Sequence, residues 1–371
     1  MKKFTSALLA MGAASALLLA GCGSSDRGGG GDSGSTGDAS ESAASGFAAD
    51  ATIGVALPQK TSENWVLAES LFNDGLKEAG FTPIVQFANN GVSEQQNQIQ
   101  AMVEQGAKVI IVGAIDGSQL GTQLEAAKES GAYVIAYDRL VKNTDAVDLY
   151  IAFDNFKVGE LQGQALLDGL AERKGDGPYN IELIAGSPDD ANSAPFFDGA
   201  MSVLQPKIDD GTLVVVSGQT SMEQVATQGW KAENAQKRMD TILAGSYADT
   251  ELDGVLSPND TLARAALTSV AQAGKPTPVI TGQDSEVESV KSIVAGEQYS
   301  TIYKDTRELV AQSIATVQAL QAGDEPDVND TESYDNGVKV VPSFLLTPVV
   351  VTQANAAEVY ANDPTLGPLT K

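Results

Sequence analysis

Polar side chains recur where short, β-branched stretches of this sequence end. They are Pro58-Gln59-Lys60 with Trp65 shortly after, Asp138-Arg139, Asp154-Asn155, Ser187–Asn192, Asn259-Asp260, Gln283-Asp284 and Lys304-Asp305. Carboxylate, amide and guanidinium groups can together satisfy hydroxyl groups, which both donate and accept hydrogen bonds. The indole rings of Trp65 and Trp230, the two tryptophans of the chain, can stack on the C–H face of a sugar ring. This set of side chains predicts a cleft for a small, neutral, hydroxylated ligand.

Each of these residues also has a simpler interpretation. Asp260 and Asp305 precede stretches of helical pattern and could be helix N-caps. Trp65 could pack in a core, and Arg139 next to Asp138 could be a surface ion pair of little energetic consequence. The prediction of a site therefore rests on the joint placement of these residues at strand ends.

The composition excludes several kinds of chemistry. The 371 residues include no histidine, which removes the commonest general base and transition-metal ligand. A single cysteine excludes a disulfide framework, a cysteine-rich zinc site and an iron–sulfur cluster. A formal net charge of −26 argues against nucleic acid as a partner, because phosphates are neutralised by an excess of Lys and Arg. We expect no cofactor, and we interpret the acidic stretch 324–335 as a solvated loop without a metal.

The pattern behind the site residues is an alternation of strands and helices. Amphipathic helices are predicted between the strands, for example over 65–80 and 93–106. In the first of these, apolar residues recur at helical spacing: Val66, Leu67, Leu71 and Leu76. Buried strands that alternate with helices predict parallel sheets covered on both faces, here two doubly wound α/β lobes. The predicted strands form two series: Thr52–Leu57, Pro83–Ala88, Val109–Ala114, Tyr133–Asp138 and Leu149–Asp154, then Asn180–Ala185, Leu213–Ser217, Gly254–Leu256, Val279–Gly282 and Ser300–Tyr303.

The first fifty residues have a different composition. Lys2 and Lys3 precede an apolar run over 7–20 that is too short to span a bilayer, which is typical of an export signal. The run leads into Leu19-Ala20-Gly21-Cys22, which resembles the bacterial lipoprotein signal, in which the cysteine is acylated; the alternative is a free thiol. Residues 22–50 are rich in Gly, Ser and Asp and are predicted to be a flexible tether.

From residue 51 to about 360 the sequence resembles the type I periplasmic sugar-binding proteins of ABC importers, in the xylose-binding and multiple-monosaccharide-binding branch. The segments that carry this resemblance are AYDRL (136–140), FDNFKVGELQ (153–162), the run from AGSPDDANS to FFDGAMSVLQP (185–206), SPND (257–260), the stretch from GQD to YKDTREL (282–309) and NGVKVVPSFLLTP (336–348).

The resemblance implies roles for individual residues. It implies that Trp65 and Trp230 sandwich the sugar ring. Asn64 stands where relatives carry arginine, and Lys60 could partly replace that cation. The residues implied to bind sugar hydroxyls are Asp138, Arg139, Asp190, Asn192, Asn259, Asp284 and Lys304.

The resemblance also implies that the chain crosses between the lobes near 154–156, 304–305 and 345–347. The N-terminal lobe would comprise 51–154 and 305–345, and the C-terminal lobe 156–304 and 346–371. Val340–Val351, with its two prolines, would be the last crossing.

The leading hypothesis is a monomeric, lipid-anchored, extracytoplasmic receptor that closes around a monosaccharide and delivers it to an ABC permease. Xylose, glucose, galactose and arabinose are the expected ligand types. An alternative is a sensor whose liganded form contacts a chemoreceptor or sensor kinase. A glycosidase that uses Asp138 and Asp284 is a remote alternative, because Arg139 and Lys304 beside them would oppose a protonated acid.

Overall fold

The computed structural model describes residues 46–60 and 62–371. The predicted signal peptide, Cys22 and most of the predicted tether lie outside the described residues. The last residues of that tether already belong to the folded part. The ring of Phe47 packs on that of Phe81, with 6.2 Å between the ring centroids. The folded body therefore includes residues before the predicted boundary at residue 50.

Strands and helices alternate along the described chain. The strands are β1 Thr52–Leu57, β2 Thr82–Phe87, β3 Val109–Val112, β4 Tyr133–Tyr137, β5 Leu149–Phe153, β6 Tyr179–Leu183, β7 Leu213–Val215, β8 Gly254–Leu256, β9 Val279–Ile280, β10 Ser300–Tyr303, β11 Ser343–Leu346 and β12 Val349–Thr352. The helices are α1 Glu63–Glu78, α2 Val92–Glu104, α3 Gly121–Glu129, α4 Asn155–Lys174, α5 Ser193–Asp209, α6 Met222–Val225, α7 Ala232–Ala244, α8 Asp260–Gln272, α9 Val287–Val294, α10 Thr306–Ala322 and α11 Ala356–Val359. Short 3₁₀ turns cover Gln228–Trp230 and Gly367–Thr370.

Six parallel strands form the sheet of the first lobe, in the order β11-β5-β4-β3-β1-β2. Their side chains alternate between two apolar cores. One core includes residues of α2 and α3, and the other includes residues of α1 and α10. Burial on both faces explains why these strands read as nearly continuous apolar runs.

The second lobe has a parallel sheet of four strands, in the order β7-β6-β8-β9. Its two cores contain residues of α4 and α5 on one side and of α7 and α8 on the other. The two doubly wound α/β lobes expected from the sequence are therefore confirmed. Ser300–Tyr303 is a correction, because this strand leaves the parallel series and pairs with β12 as an antiparallel ribbon.

The predicted strands all occur, and β1, β8 and β10 have the predicted bounds. Several others end one or two residues earlier than predicted, because their last residues leave the ladder and form the loops that carry polar side chains. Asp138 is an example: it follows β4 with a φ of 62°, which no strand residue adopts.

Helix α1 forms where expected, but its buried face differs from the predicted one. Trp65, Ala68, Phe72 and Leu76 face the core, whereas Val66 and Leu67 are exposed. The spacing of Ala68 and Phe72 is also helical, and the aromatic rings fill more core volume than Val66 would. Among the described helices, none is both long and apolar enough to cross a membrane.

The chain passes from one lobe to the other at three places. Strand β5 lies in the first sheet, whereas α4, which follows it, packs in the core of the second lobe. Strand β10 pairs with β12, whereas α10 after it packs with α1. The predicted crossing segment Val340–Val351 consists of β11, paired with β5, and β12, paired with β10, joined by Thr347-Pro348. Parallel strands with this strand order place ligands beyond their carboxyl ends, where both lobes face each other.

Candidate functional site

A cavity lies between the carboxyl ends of the two parallel sheets. All of the predicted sugar-binding residues except Lys60 line it: Asn64, Trp65, Asp138, Arg139, Asp190, Asn192, Trp230, Asn259, Asp284 and Lys304. Gln283, one of the polar residues noted at the strand ends, also lines it, as do Ser62 and Phe196, which were not predicted. Phe196 lies one turn into α5 rather than at a strand end, so the sequence carried no signal for it.

Lys60 is not part of this cavity. Its Nζ lies 2.9 Å from Glu69 Oε2 and 4.5 Å from the centre of the Phe87 ring. The side chain is therefore held on the outside of the first lobe. The prediction that Lys60 supplies the cation missing at Asn64 is not supported by this placement.

Trp65 serves both as a core residue and as a wall of the cavity. Its ring packs edge-on against Tyr137, with 6.1 Å between centroids, and Gly113 leaves room for its outer edge. On the cavity side the Arg139 guanidinium lies 5.2 Å from the centre of the ring. The two interpretations of Trp65 in the sequence, core packing and ligand binding, are therefore compatible.

Trp230 is held from the second lobe by one hydrogen bond and one close approach. Its Nε1 donates to Asp190 Oδ2 at 3.0 Å. The residue adopts a φ of 55°, which is uncommon for a side chain of this size. A Cβ on Gly186 would lie 2.2 Å from the Trp230 ring, so the indole rests directly on the glycine backbone. The position of this ring is therefore fixed by Asp190 and Gly186 together.

Asp190 joins the two lobes. Its Oδ2 lies 3.0 Å from Arg139 Nε, and its Oδ1 accepts from the main-chain N–H of Asn192 at 2.9 Å. Burial raises the pKa of Asp190 above its ordinary value, and the Arg139 guanidinium opposes that rise. The carboxylate thus has donors on both oxygens, from Arg139, Asn192 and Trp230.

Lys304 forms a second charged group across the cleft. Its Nζ lies 3.2 Å from Asp284 Oδ1 and 4.0 Å from Asp138 Oδ2. Burial alone would lower the pKa of Lys304, but the carboxylates of Asp284 and Asp138 outweigh burial and raise it. Asp138 and Asp284 both adopt left-handed φ angles, of 62° and 91°. Such strained backbone after a strand is typical of functional loops.

Asn259 and Asp260 have separate tasks. Asn259 is the N-cap of α8 and accepts from the main-chain N–H of Leu262, so its Nδ2 group is the part left to face a ligand. Asp260 is fully buried, and its carboxylate accepts from Gln298 Nε2, Thr301 Oγ1 and the main-chain N–H of Glu286. Its expected N-cap role is therefore wrong, whereas Asp305 does cap α10 by accepting from Arg307.

Asp260 instead supports the loop that carries Asp284. Its main-chain N–H donates to the Gln283 carbonyl, and its carboxylate accepts from Glu286 on the other side of Asp284. Burial, followed by the nearby charge of Glu286, raises the pKa of Asp260 well above its ordinary value. This carboxylate positions a wall of the cavity without lining it.

Comparison with known proteins agrees with this architecture. Residues 53–325 match the family model described as a periplasmic binding protein domain. The chain is 49% identical over 319 residues to the multiple sugar-binding periplasmic receptor ChvE of Rhizobium radiobacter, covering 84% of this chain and 90% of that protein. It is 34% identical over 317 residues to the D-xylose-binding periplasmic protein of Escherichia coli K12, covering 85% and 91%.

One solved structure is similar along nearly the whole described chain. It is the ABC transporter solute-binding protein of Clostridium phytofermentans with bound β-D-glucose, with a TM-score of 0.82 and 42% identity. The match covers 86% of this chain and all of that one. The family resemblance stated from the sequence motifs is thereby confirmed, and the chain belongs to the periplasmic binding protein family.

Proposed function

We propose that this protein captures one monosaccharide by closure of its two lobes and delivers it to the permease of an ABC importer. The observation that carries this proposal is that the cavity wall is built from both lobes. Arg139 and Asp138 come from the first lobe, and Asp190 and Asp284 come from the second. A ligand that contacts both lobes stabilises the closed arrangement over any open one.

The chemistry of the wall favours a neutral sugar. Three carboxylates, from Asp138, Asp190 and Asp284, face two cations, from Arg139 and Lys304. This balance leaves an excess of negative charge in a site with little solvent, which opposes sugar phosphates and uronic acids. The carboxylate and amide groups suit hydroxyls, and the rings of Trp65 and Trp230 suit the two apolar faces of a pyranose.

The names of the relatives support the same ligand class. Those proteins bind multiple sugars or D-xylose, and the solved structure contains glucose. We therefore infer that xylose, glucose, galactose and arabinose are the sugars to test first. Asn64 lines the cavity where a cation was expected from the resemblance, so the order of preference among these sugars is set in part at this residue.

The family consists of proteins that bind ligands without transforming them, and we infer the same for this chain. Hydrolysis of a glycoside needs a carboxylic acid that can give up a proton. Asp190 has a raised pKa, but both of its oxygens already accept hydrogen bonds. Asp138 and Asp284 both lie beside the ammonium group of Lys304, with 4.0 and 3.2 Å between the charged atoms, so neither is an isolated carboxyl group in an apolar pocket.

The proposed lobes follow the three crossings. The sequence predicted an N-terminal lobe of 51–154 and 305–345 and a C-terminal lobe of 156–304 and 346–371. We keep these bounds except the last one, which we move from residue 345 to Thr347-Pro348. The reason for this change is that Leu346 still pairs with Phe153 in the first sheet. Closure then consists of rotation about the crossings near residues 154, 304 and 347.

Titration of the protein that lacks the first 22 residues tests the proposed binding. Xylose, glucose, galactose and arabinose are added in turn while tryptophan fluorescence is recorded, with glucose 6-phosphate and glucuronate as charged controls. We expect saturable changes with at least one neutral sugar and weaker binding of the charged controls. A complete lack of response to the neutral sugars would contradict the proposal.

We also propose that acylated Cys22 anchors the protein to the outer face of the cell membrane. The support is the sequence Leu19-Ala20-Gly21-Cys22 at the end of the apolar run. Mass spectrometry of the membrane fraction should find a lipid on the N-terminal cysteine, and Cys22→Ala should release the protein from that fraction. Membrane retention of C22A would rule out this anchor.

A further inference from the structure

The side chain of Asn192 does not cap the helix that follows it. Asn192 is the residue before α5, where an asparagine usually caps the helix with its side chain. No such cap is formed here. Its Nδ2 instead donates at 2.8 Å to the carbonyl of Asp138, which belongs to the first lobe. The side chain thus forms a direct contact between the lobes.

Two further buried side chains complete this contact. Asn192 Oδ1 lies 3.1 Å from the Tyr150 hydroxyl and accepts from Asn155 Nδ2 at 3.0 Å. The Tyr150 hydroxyl also lies 2.8 Å from the Asp138 carbonyl and accepts from Asn155 Nδ2 at 2.9 Å. Because a phenol has one hydrogen, Tyr150 donates to Asp138 or to Asn192 at any moment. The hydrogen bonds of Tyr150, Asn155 and Asn192 therefore form one connected network.

This network connects the ligand cavity to the first crossing between the lobes. Asn192 and Asp138 line the cavity, whereas Tyr150 and Asn155 do not. Asn155 is the first residue of α4, directly after the crossing, and its main-chain N–H donates to the Tyr334 hydroxyl at 3.1 Å. The Tyr334 ring packs edge-on against Tyr150, with 4.9 Å between centroids. Tyr334 therefore contacts the chain before the crossing, at Tyr150, and after it, at Asn155.

We propose that Tyr150 and Asn155 are positioning residues, which fix Asn192 against Asp138 and so stabilise the closed form; this rests on the proposed sugar-binding function. The contact between Asn192 and Asp138 joins different lobes, so it breaks when the lobes separate. The Tyr150 hydroxyl and the Asn155 amide are buried polar groups that need hydrogen-bond partners. They find these partners in Asn192 and Asp138, so they favour the contact between those two residues. The stabilisation acts on closure itself and is the same for every sugar.

The test compares Tyr150→Phe and Asn155→Ala with a matched control, Tyr247→Phe. Tyr247 is also fully buried, and its hydroxyl donates to the Ile181 carbonyl at 2.8 Å inside the second lobe. We expect Y150F and N155A to raise the Kd of each bound sugar by about five- to tenfold, the effect of one buried hydrogen bond. The increase should be the same for all sugars and should come from faster dissociation in stopped-flow fluorescence.

The control should lower the melting temperature to a similar extent and leave each Kd within about twofold. Unchanged Kd values in both Y150F and N155A would overturn the proposal, and so would a loss confined to one sugar, which would indicate recognition of a hydroxyl. If the wild-type protein binds none of the sugars, the proposed function fails instead. The contact is then judged by small-angle scattering of the sugar-free chain, where equal radii of gyration for wild type and Y150F overturn it.

Discussion

Arg139 and Asp190 form an ion pair between the two lobes, with 3.0 Å between Nε and Oδ2 and side chains that are 11% and 4% exposed. Each partner also contacts one of the two tryptophans. The Arg139 guanidinium lies over the Trp65 ring, and Asp190 accepts from the Trp230 indole. The pair therefore links both aromatic walls of the cavity, and it exists only while the lobes are in contact.

A double-mutant cycle on this pair should show strong coupling. Removing one partner of a largely buried pair leaves the other charge unpaired, which costs about 3–5 kcal/mol. We expect Arg139→Ala and Asp190→Ala each to weaken sugar binding by more than about a hundredfold. The double variant should bind no worse than the weaker single variant. Calorimetric titration measures all four proteins, and strictly additive losses would show that the two side chains act independently.

Lys304→Met should weaken sugar binding strongly. Methionine keeps the unbranched shape and most of the length of the side chain, but it leaves the carboxylates of Asp138 and Asp284 without their shared cation. We expect sugar affinity at pH 7 to fall by about a hundredfold or more. Calorimetric titration of the variant with each sugar that wild type binds measures this loss.

Lys60→Met is the matched control for that experiment. Lys60 pairs with Glu69 at the surface, away from the cavity, so its replacement should leave the Kd within about twofold. An equal loss of affinity in K60M and K304M would contradict the assignment of these two lysines.

Gly186→Ala should displace the Trp230 ring. The added Cβ would lie 2.2 Å from the ring, closer than side chains pack, so the indole must move away from Asp190. We expect loss of most sugar affinity and of the ligand-induced change in tryptophan fluorescence. At Gly121, in α3, a Cβ would meet its nearest neighbour at an ordinary 3.5 Å, so Gly121→Ala should bind sugar like wild type. Normal binding by G186A would show that Trp230 does not contact the ligand.

The pH dependence of stability should reveal the buried carboxyl of Asp260. Its pKa is raised in the folded state, so the folded protein takes up this proton at a higher pH than the unfolded chain does. The contribution of Asp260 to stability therefore increases as pH falls through the raised pKa, and it is complete below the ordinary value of 3.8.

Asp260→Asn removes this titration while it keeps the shape of the side chain. The free energy of unfolding of wild type relative to D260N should increase on going from pH 8 to pH 5, by at most about 1.4 kcal/mol per pH unit. Urea unfolding at each pH measures the difference. A difference that stays constant or shrinks over this range would mean that the donors from Gln298, Thr301 and Glu286 keep Asp260 ionised.

The sequence predicted which residues gather at the cavity better than it predicted the bounds and faces of the elements around it. Asp138 and Asp284 could be located because each follows a strand of a parallel sheet, and such strands end at one edge whatever their exact bounds. The buried face of α1 was wrong at Val66 and Leu67, since two helical spacings competed and only packing against the sheet decides between them.

Lys60 and Phe196 illustrate what local sequence cannot supply. Lys60 follows β1, as a site residue would, but its long side chain reaches Glu69 in the next helix, α1. Phe196 lines the cavity because α5 begins at Ser193 and presents its first turn to the cleft, a fact that depends on the angle between α5 and the sheet. The antiparallel pairing of β10 with β12 also depends on the third crossing, which no local pattern reveals.

The pairing of β11 with β5 has a consequence for how the chain folds. Ser343 lies beside Tyr150, although most of the second lobe separates them in sequence. The first lobe therefore cannot complete its sheet until a very large loop has closed, and contacts between distant residues slow folding. A newly made chain would expose the open edge of β5 for most of its synthesis.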